Sequence, residues 1–297
     1  MKRLRLIVNP AARGDGALAG AASELASGHA GWELELVRTE VQGHAVLLAE
    51  EAARAGVELV GSVGGDGTAR EVAAGLCGSA TPMLIVPAGT GNSSYRELFG
   101  AIPWIDLLTA ALDGRDSRAV DLNRIEPTGE LSLLGFSCGW FAQIVEAAAA
   151  DPTTAGAAKY AAAALATAAA PSSFNAEVEL DGAPFAGGAL GLVAVGGARV
   201  RGGVFPIFPD SSLADGRLEL LTIEAVDAIG FGDLMEKVLQ GRDSGDPRVH
   251  RGSGVTVLIR SGEILPSEVD GDLWDKYAGE TRIEVVPGAL RVVLGAS

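Results

Sequence analysis

Asp66 and Thr68 are the residues of this chain whose setting most plainly suggests chemistry, because glycines surround them in Gly64-Gly65-Asp66-Gly67-Thr68. Glycine lets a backbone come close to a ligand and adopt positive φ. The turn follows an apolar run at residues 57–63 and precedes Ala69-Arg70-Glu71-Val72-Ala73-Ala74-Gly75-Leu76, which reads as a helix. The free N–H groups of a helix start suit a phosphate, so the pattern suggests a nucleotide site with an acid beside the phosphates. A second glycine loop, Val86-Pro87-Ala88-Gly89-Thr90-Gly91-Asn92, also follows a buried-looking strand. A third, Asn9-Pro10-Ala11-Ala12-Arg13-Gly14-Asp15-Gly16, adds backbone donors and a cation. Arg13 suits bidentate pairing with phosphate oxygens and suits a solvated turn equally well. One glycine loop is weak evidence. Two in one domain, each with a threonine and a polar partner, favour a phosphate site over ordinary turns.

The elements that must hold these loops are strands and helices in alternation. Apolar runs at residues 4–8, 33–37, 59–63 and 83–86 read as strands, and residues 16–27, 43–55, 68–76 and 105–112 as helices. Short Val/Ile/Leu strands separated by helices indicate a parallel sheet covered on both faces. Ligands of such sheets bind at the carboxyl ends of the strands, where all three loops lie. Beyond residue 118 the texture changes. Strand-like segments come often, at 118–125, 131–137, 176–180, 190–195, 217–224, 254–260, 282–286 and 290–294, with glycine turns between them. That pattern suits an antiparallel sandwich, interrupted by a helical block at 142–170 and a shorter helix at 230–241. The expected fold is α/β plus all-β in two domains. Residues 1–117 form a Rossmann-like nucleotide-binding sheet with helices, and residues 118–297 a β-sandwich with a helical insertion, with the last strands free to return to the first domain.

Composition narrows the function classes. At 297 residues and 48% hydrophobic content the chain can bury one large core or two ordinary ones. A net charge of -15 argues against general nucleic-acid binding and gives no help in reaching an anionic membrane. Two distant cysteines, Cys77 and Cys138, suit a reduced, cytoplasmic setting. The basic start at Met1-Lys2-Arg3 is followed by too short an apolar run for a signal peptide, and the alanine-rich stretch at 147–170 reads as helices rather than a span. His29, His44 and His250 have no carboxylate or cysteine neighbour that would make a metal site or a triad.

Further residues fall in order along the chain: Asn9-Pro10, Thr39 before Gly43-His44-Ala45, the 64–68 loop with Glu71-Val72 and Gly75-Leu76, and Pro87 with Gly89-Thr90-Gly91-Asn92. Ala214-Asp215-Gly216-Arg217-Leu218 and Val269-Asp270-Gly271-Asp272 follow. This series resembles the diacylglycerol kinase catalytic family, which includes sphingosine and ceramide kinases and bacterial lipid kinases. The resemblance covers nearly the whole chain. It implies a first domain similar to those of NAD kinase and phosphofructokinase, and the cofactors ATP and Mg²⁺. It places Asn9, Pro10, Ala11, Ala12, Arg13, Gly14, Thr39, Gly64, Gly65, Asp66, Gly67, Thr68, Glu71, Gly89, Thr90, Gly91, Asn92 and Asp270 around the nucleotide.

The resemblance also implies two catalytic acids, Asp66 and Asp272. Asp66 suits Mg²⁺ or the acceptor hydroxyl, and would otherwise serve as a helix cap. Asp272 stands where the family carries a glutamate as general base. A hairpin with a type I′ Asp-Gly turn competes with that reading. A structural Mg²⁺ is implied on the Asp215 carboxylate and the carbonyls of Ser212 and Arg217, where a plain β-turn explains the same residues. Ser93 and Phe141 occupy positions where the family has aspartates. Trp140, Phe141 and Ile144 suit either an apolar acyl pocket or the core. The expected activity is transfer of the γ-phosphate of ATP to a hydroxyl of diacylglycerol or a sphingoid-like alcohol, with transient contact at the inner face of a membrane and room for a homodimer. An NAD kinase-like enzyme and a non-catalytic nucleotide- or lipid-binding module are the alternatives.

Overall fold

Runs of β-branched residues and leucine, each leading into a helix, build the first of two units in the computed structural model. The structure describes residues 1–12, 14–151, 153–154, 157–201 and 205–295. Met1–Asp121 with Gly288–Ser297 make one unit and Leu122–Pro287 the other. In chain order the first unit holds β1 (Lys2–Val8), α1 (Asp15–Ser27), β2 (Trp32–Arg38), α2 (His44–Arg54) and β3 (Leu59–Gly64). There follow α3 (Asp66–Gly75), β4 (Met83–Pro87), α4 (Ser93–Phe99) and α5 (Trp104–Leu112). The chain crosses into the second unit along β5 (Ser117–Glu126), which runs unbroken through the boundary expected at 117.

The second unit continues with β6 (Glu130–Ser132), β7 (Phe136–Gly139), α6 (Trp140–Ala150), α7 (Ala157–Ala168), β8 (Phe174–Leu180) and β9 (Ala183–Gly196). Then come β10 (Leu218–Glu224), α8 (Ala228–Leu239), β11 (Val249–Gly254), β12 (Thr256–Arg260), β13 (Ser267–Val269) and β14 (Asp272–Trp274). The last strand, β15 (Glu280–Val293), starts in this unit and ends in the first.

In the first unit β2, β1, β3, β4 and the end of β15 lie side by side, every pair parallel. This is the doubly wound order 2-1-3-4-5, which reverses direction between β1 and β3. Leu4, Leu6, Ile7 and Val8 of β1 and Leu84, Ile85 and Val86 of β4 are buried, as in sheets covered on both faces. At roughly 1.5–3 kcal/mol per fully buried large aliphatic side chain, these strands supply much of the driving force for the unit.

The second unit is antiparallel throughout the pairings of β7 to β14. β9 pairs with β8 along its first half and with β7 and β10 along its second. Period-two alternation on β10 sends Leu218 and Leu220 to one core and Leu221 and Ile223 to another. The first core packs sheet residues such as Phe136, Val178, Val257 and Ile283 together. The second packs the opposite face against Trp140, Phe141 and Ile144 of α6 and Phe231, Leu234 and Met235 of α8.

Several elements differ from the sequence expectation. The strand expected at 131–137 is two strands, β6 and β7, and the one expected at 254–260 is split between β11 and β12. Conversely, the two strands expected at 282–286 and 290–294 are the single β15. Helix α4 was not expected, whereas the short hairpin β13–β14 is the Asp-Gly hairpin that competed with the base reading of residues 269–272. Among the described residues, no helix is long and apolar enough to cross a membrane.

Candidate active site

The crevice outside β1 and β3 is where a doubly wound sheet of this order presents its ligand site. The loops after both strands meet there. The Asn9 amide N–H donates to the carbonyl of Val63 at 3.0 Å, and the Asn9 side-chain amide donates to the Thr68 hydroxyl at 3.0 Å. Asn9 Oδ1 also accepts the N–H of Ala11 at 2.9 Å, which closes the first loop. Thr39 follows β2 and is tied to β1 through its N–H on the Val8 carbonyl, 2.9 Å. Arg13 lies outside the described residues, and Gly14 caps α1 in the left-handed region, φ 71°.

The 64–68 loop backs directly onto the 89–92 loop. Ala88 N–H bonds the carbonyl of Gly64 at 2.9 Å. A Cβ on Gly89 would lie 2.5 Å from the Cα of Gly65, so the two backbones approach as only glycines allow. Asn92 closes its own loop, accepting the Gly89 N–H and donating to the Gly89 carbonyl, both at 2.9 Å. Arg96 donates to the carbonyl of Gly91. Thr90 stands exposed at the tip between Gly89 and Gly91.

Asp66 opens helix α3, whose first-turn N–H groups have no partner within the helix. Its Oδ1 accepts the N–H of Ser94 at 2.7 Å and so caps α4. Its Oδ2 faces Gly91, 3.0 Å from where a Cβ would stand, and the Ser93 hydroxyl lies 3.8 Å from the same point. A carboxylate oxygen and a hydroxyl therefore border a space that any larger residue at 91 would fill. These are hard oxygen donors of the kind that Mg²⁺ takes, so the residues fit that ion. Glu71 has both oxygens engaged, on the N–H groups of Gly43 at 2.9 Å and Ala45 at 3.2 Å, which fixes the start of α2 against α3.

In the second unit, Asp270 and Gly271 form the two-residue turn of the β13–β14 hairpin, with φ 53° and 90° and Val269 opposite Asp272. These dihedrals and this register are those of a type I′ turn. Asp270 is buried. Its carboxylate accepts the N–H groups of Leu133, Leu134 and Gly135 at 2.8, 2.8 and 2.9 Å and the Ser132 hydroxyl at 2.7 Å. Those captured amides are what separate β6 from β7. Asp272, the first residue of β14, is exposed.

Just before the turn, Glu268 is fully buried, which pushes its carboxyl above the ordinary range. The Arg201 guanidinium, the Ser137 hydroxyl and the Gly271 N–H oppose that rise. None of Ser94, Arg201, Ser137 and Glu268 was singled out from the sequence. A glutamate two places before Asp-Gly is the one local signal that could have marked Glu268.

Asp215 forms a tight turn, its Oδ1 accepting the N–H of Arg217 at 3.0 Å, with Gly216 at φ 71°. Ser212 Oγ accepts the N–H of Ala214 at 3.1 Å, and the Arg217 side chain grips Ser253. Among the described residues, no group of three or more His, Cys, Asp or Glu gathers as a metal cluster. Trp140, Phe141 and Ile144 are core side chains: Trp140 meets Phe231 and Phe205 with ring centroids 4.8 and 5.8 Å apart, and Ile144 packs in the same cluster. Of the two readings of these residues, the structure shows the core.

Residues 3–125 match the family described as the diacylglycerol kinase catalytic domain, and residues 136–294 the YegS C-terminal NAD kinase beta sandwich-like domain. The "Probable lipid kinase YegS-like" protein of Pseudomonas fluorescens is 30% identical over 272 residues, covering 89% of this chain and 87% of that protein. The diacylglycerol kinase of Bacillus subtilis is 27% identical, covering 94% of this chain and 93% of its own. A solved structure of a diacylglycerol kinase from Bacillus anthracis shares the fold, with a TM-score of 0.71 at 20% identity over 99% of this chain and 97% of that one. A two-unit fold with glycine loops at the switch point, both family matches and a relative similar over nine-tenths of the chain agree: this chain belongs to the family of diacylglycerol kinases and YegS-like lipid kinases.

Proposed function

We propose that this chain transfers the γ-phosphate of ATP, with Mg²⁺, to a hydroxyl of diacylglycerol or a related long-chain lipid. One observation carries the reading. The 64–68 and 89–92 loops pack backbone to backbone at the carboxyl end of the sheet, beside its switch point, with one oxygen of Asp66 fixed by Ser94 and the other turned toward Gly91. Phosphoryl transfer asks for positioning and charge neutralisation more than covalent chemistry. The N–H groups at the start of α3 and in the glycine loops would hold phosphate oxygens. Mg²⁺, when bound, would supply the charge neutralisation, with Asp66 Oδ2 and the Ser93 hydroxyl as the donors nearest to hand. Asp215, with the carbonyls of Ser212 and Arg217, is the second candidate cation position. Asp272 is the proposed general base for the lipid hydroxyl, and Asp270 is proposed to hold the turn that presents it. The acceptor would be met at a membrane surface visited peripherally.

Asp66→Asn is the test. Asparagine keeps the Oδ1 acceptor for the Ser94 N–H, so α4 stays capped while the charge is lost. Labelled ATP with a panel of diacylglycerol, sphingoid bases and NAD should give a phosphorylated lipid for the native chain and at least a hundredfold less for the variant, the scale set by loss of a charge-stabilising group. Full turnover by the variant, or NAD as the acceptor, overturns the proposal.

A further inference from the structure

We propose that Glu268 is a positioning residue that fixes the direction of Asp272, acting through the amide of Gly271 and braced by Arg201 and Ser137. This rests on the reading of Asp272 as the general base.

The turn between β13 and β14 has one weak joint. Type I′ and type II′ turns differ by a flip of the middle peptide, here the one joining Asp270 to Gly271. Glu268 Oε2 accepts the N–H of that peptide at 2.8 Å. The same carboxylate takes the Arg201 guanidinium on Oε1 at 3.1 Å and the Ser137 hydroxyl as well. Glu268, Arg201 and Ser137 are all buried, at 4%, 5% and 0% exposure. Ser137 stands directly opposite Glu268 in the β7–β13 pairing, and Arg201 is anchored by two backbone hydrogen bonds to Phe205, 2.8 and 2.9 Å. Asp270 ties the turn to the 132–135 segment, and Glu268 ties the middle peptide to the hairpin's own strand. With both in place, the exposed residue that follows the turn, Asp272, is carried on a fixed backbone.

The number of acceptor oxygens matters as well as shape. A glutamine at 268 has one acceptor oxygen for three donors, Gly271, Arg201 and Ser137, so at least one donor goes unmet. The middle peptide then loses its lock, and Asp272 samples directions in which its carboxylate misses the proton it must take within ~2.6–3.2 Å.

The experiment is a double-variant cycle on the full chain, with kcat and lipid KM measured on vesicles containing diacylglycerol and ATP·Mg²⁺, and folding checked by urea titration. Asp272→Asn should lower kcat by roughly a hundredfold or more, the usual worth of a general base. Glu268→Gln should lower kcat about tenfold with KM unchanged, the signature of an interaction felt in the transition state. In the Asp272→Asn background, Glu268→Gln should change kcat no further, because its effect passes through the missing base. A loss of equal size in that background overturns the inference while leaving the base assignment standing, as does native kcat in the Glu268→Gln variant. Native turnover in Asp272→Asn overturns both. If Glu268→Gln fails to fold, Ser137→Ala removes one brace without stranding a buried charge. It should lower kcat about threefold in the native background and not at all in the Asp272→Asn background; an unchanged kcat in the native background overturns the inference.

Discussion

Two hairpins of the second unit share the sequence Glu-x-Asp-Gly and the same construction, and only one of them ends on an acid. Glu179-Leu180-Asp181-Gly182-Ala183 joins β8 to β9, and Glu268-Val269-Asp270-Gly271-Asp272 joins β13 to β14. Asp181 and Asp270 are both left-handed, with φ 52° and 53°. Each captures a passing strand in the same way. Asp181 N–H donates to the Thr256 carbonyl at 2.9 Å while its Oδ1 accepts the N–H of Thr256 at 2.9 Å and Val255 at 2.8 Å. Asp270 N–H donates to the Gly135 carbonyl at 3.1 Å while its Oδ1 accepts the Gly135 N–H at 2.9 Å. The glutamates diverge. Glu179 pairs with Arg260 at 2.5 Å near the surface, and Glu268 pairs with Arg201 in the interior. The turn module is thus a general joint of this sandwich, and what makes one copy a candidate site is its burial, its second lock on the middle peptide and the carboxylate that follows.

Removing the aspartate should separate the two copies most. In Asp270→Ala, three buried backbone N–H groups and a hydroxyl lose their acceptor, and each unmet buried donor costs about 1–3 kcal/mol. Some of that returns as water enters the vacated space, so a loss of about 4 kcal/mol is expected in urea unfolding. Asp181→Ala exposes its donors to solvent, and about 1 kcal/mol should be lost. Equal losses would mean that burial is not what distinguishes the two turns.

The glycines should separate stability from activity. Neither Gly182 nor Gly271 would bring a Cβ within 4 Å of another atom, and both have positive φ, 78° and 90°. Alanine at either position therefore meets only the left-handed strain, about 1–2 kcal/mol. The expected outcome is the same shift in urea midpoint for Gly182→Ala and Gly271→Ala, with kcat lowered several-fold only in Gly271→Ala. A matched fall in kcat for both would tie activity to general stability and remove the special standing of the second turn.

The same two aspartates explain where the sequence could be read and where it could not. The first unit was legible because parallel strands buried on both faces are continuous apolar runs, and the loops that follow carry their glycines in sequence. Residues 131–137 and 254–260 each look like one strand, yet Asp270 and Asp181 take the amides at which they break. No local rule places a carboxylate from 135 residues away on Gly135. Pro287-Gly288 looks like a turn, yet β15 runs through it, with the Gly288 N–H satisfied by Asp121 at 2.7 Å. In the candidate site the glycine loops were legible, and the partners that orient them were not. Ser94 lies 28 residues from Asp66, and Arg201 lies 67 from Glu268. Local chemistry announces which residues can react; tertiary hydrogen bonds decide where they point.

The smallest predicted effect concerns pH, where the two copies should differ in sign. The N–H groups of Val255 and Thr256 hold the Asp181 carboxyl below its ordinary 3.8. A depressed carboxyl stabilises the fold above its unfolded value, and that contribution is lost as pH falls through the folded value. Burial holds the Glu268 carboxyl above its ordinary 4.5, so the fold binds that proton more tightly than the unfolded chain does. Its contribution is complete below 4.5 and is lost as pH rises through the folded value. Urea midpoints for the native chain, Asp181→Asn and Glu268→Gln across pH 3 to 7 read both. The native advantage over Asp181→Asn should shrink as pH drops below about 4. The native advantage over Glu268→Gln should instead grow on acidification from neutral pH, since the uncharged glutamine carries no proton linkage. Parallel curves for both variants would show that the interior glutamate and the surface aspartate feel the same environment, and the contrast between the two turns would then rest on the residue that follows them alone.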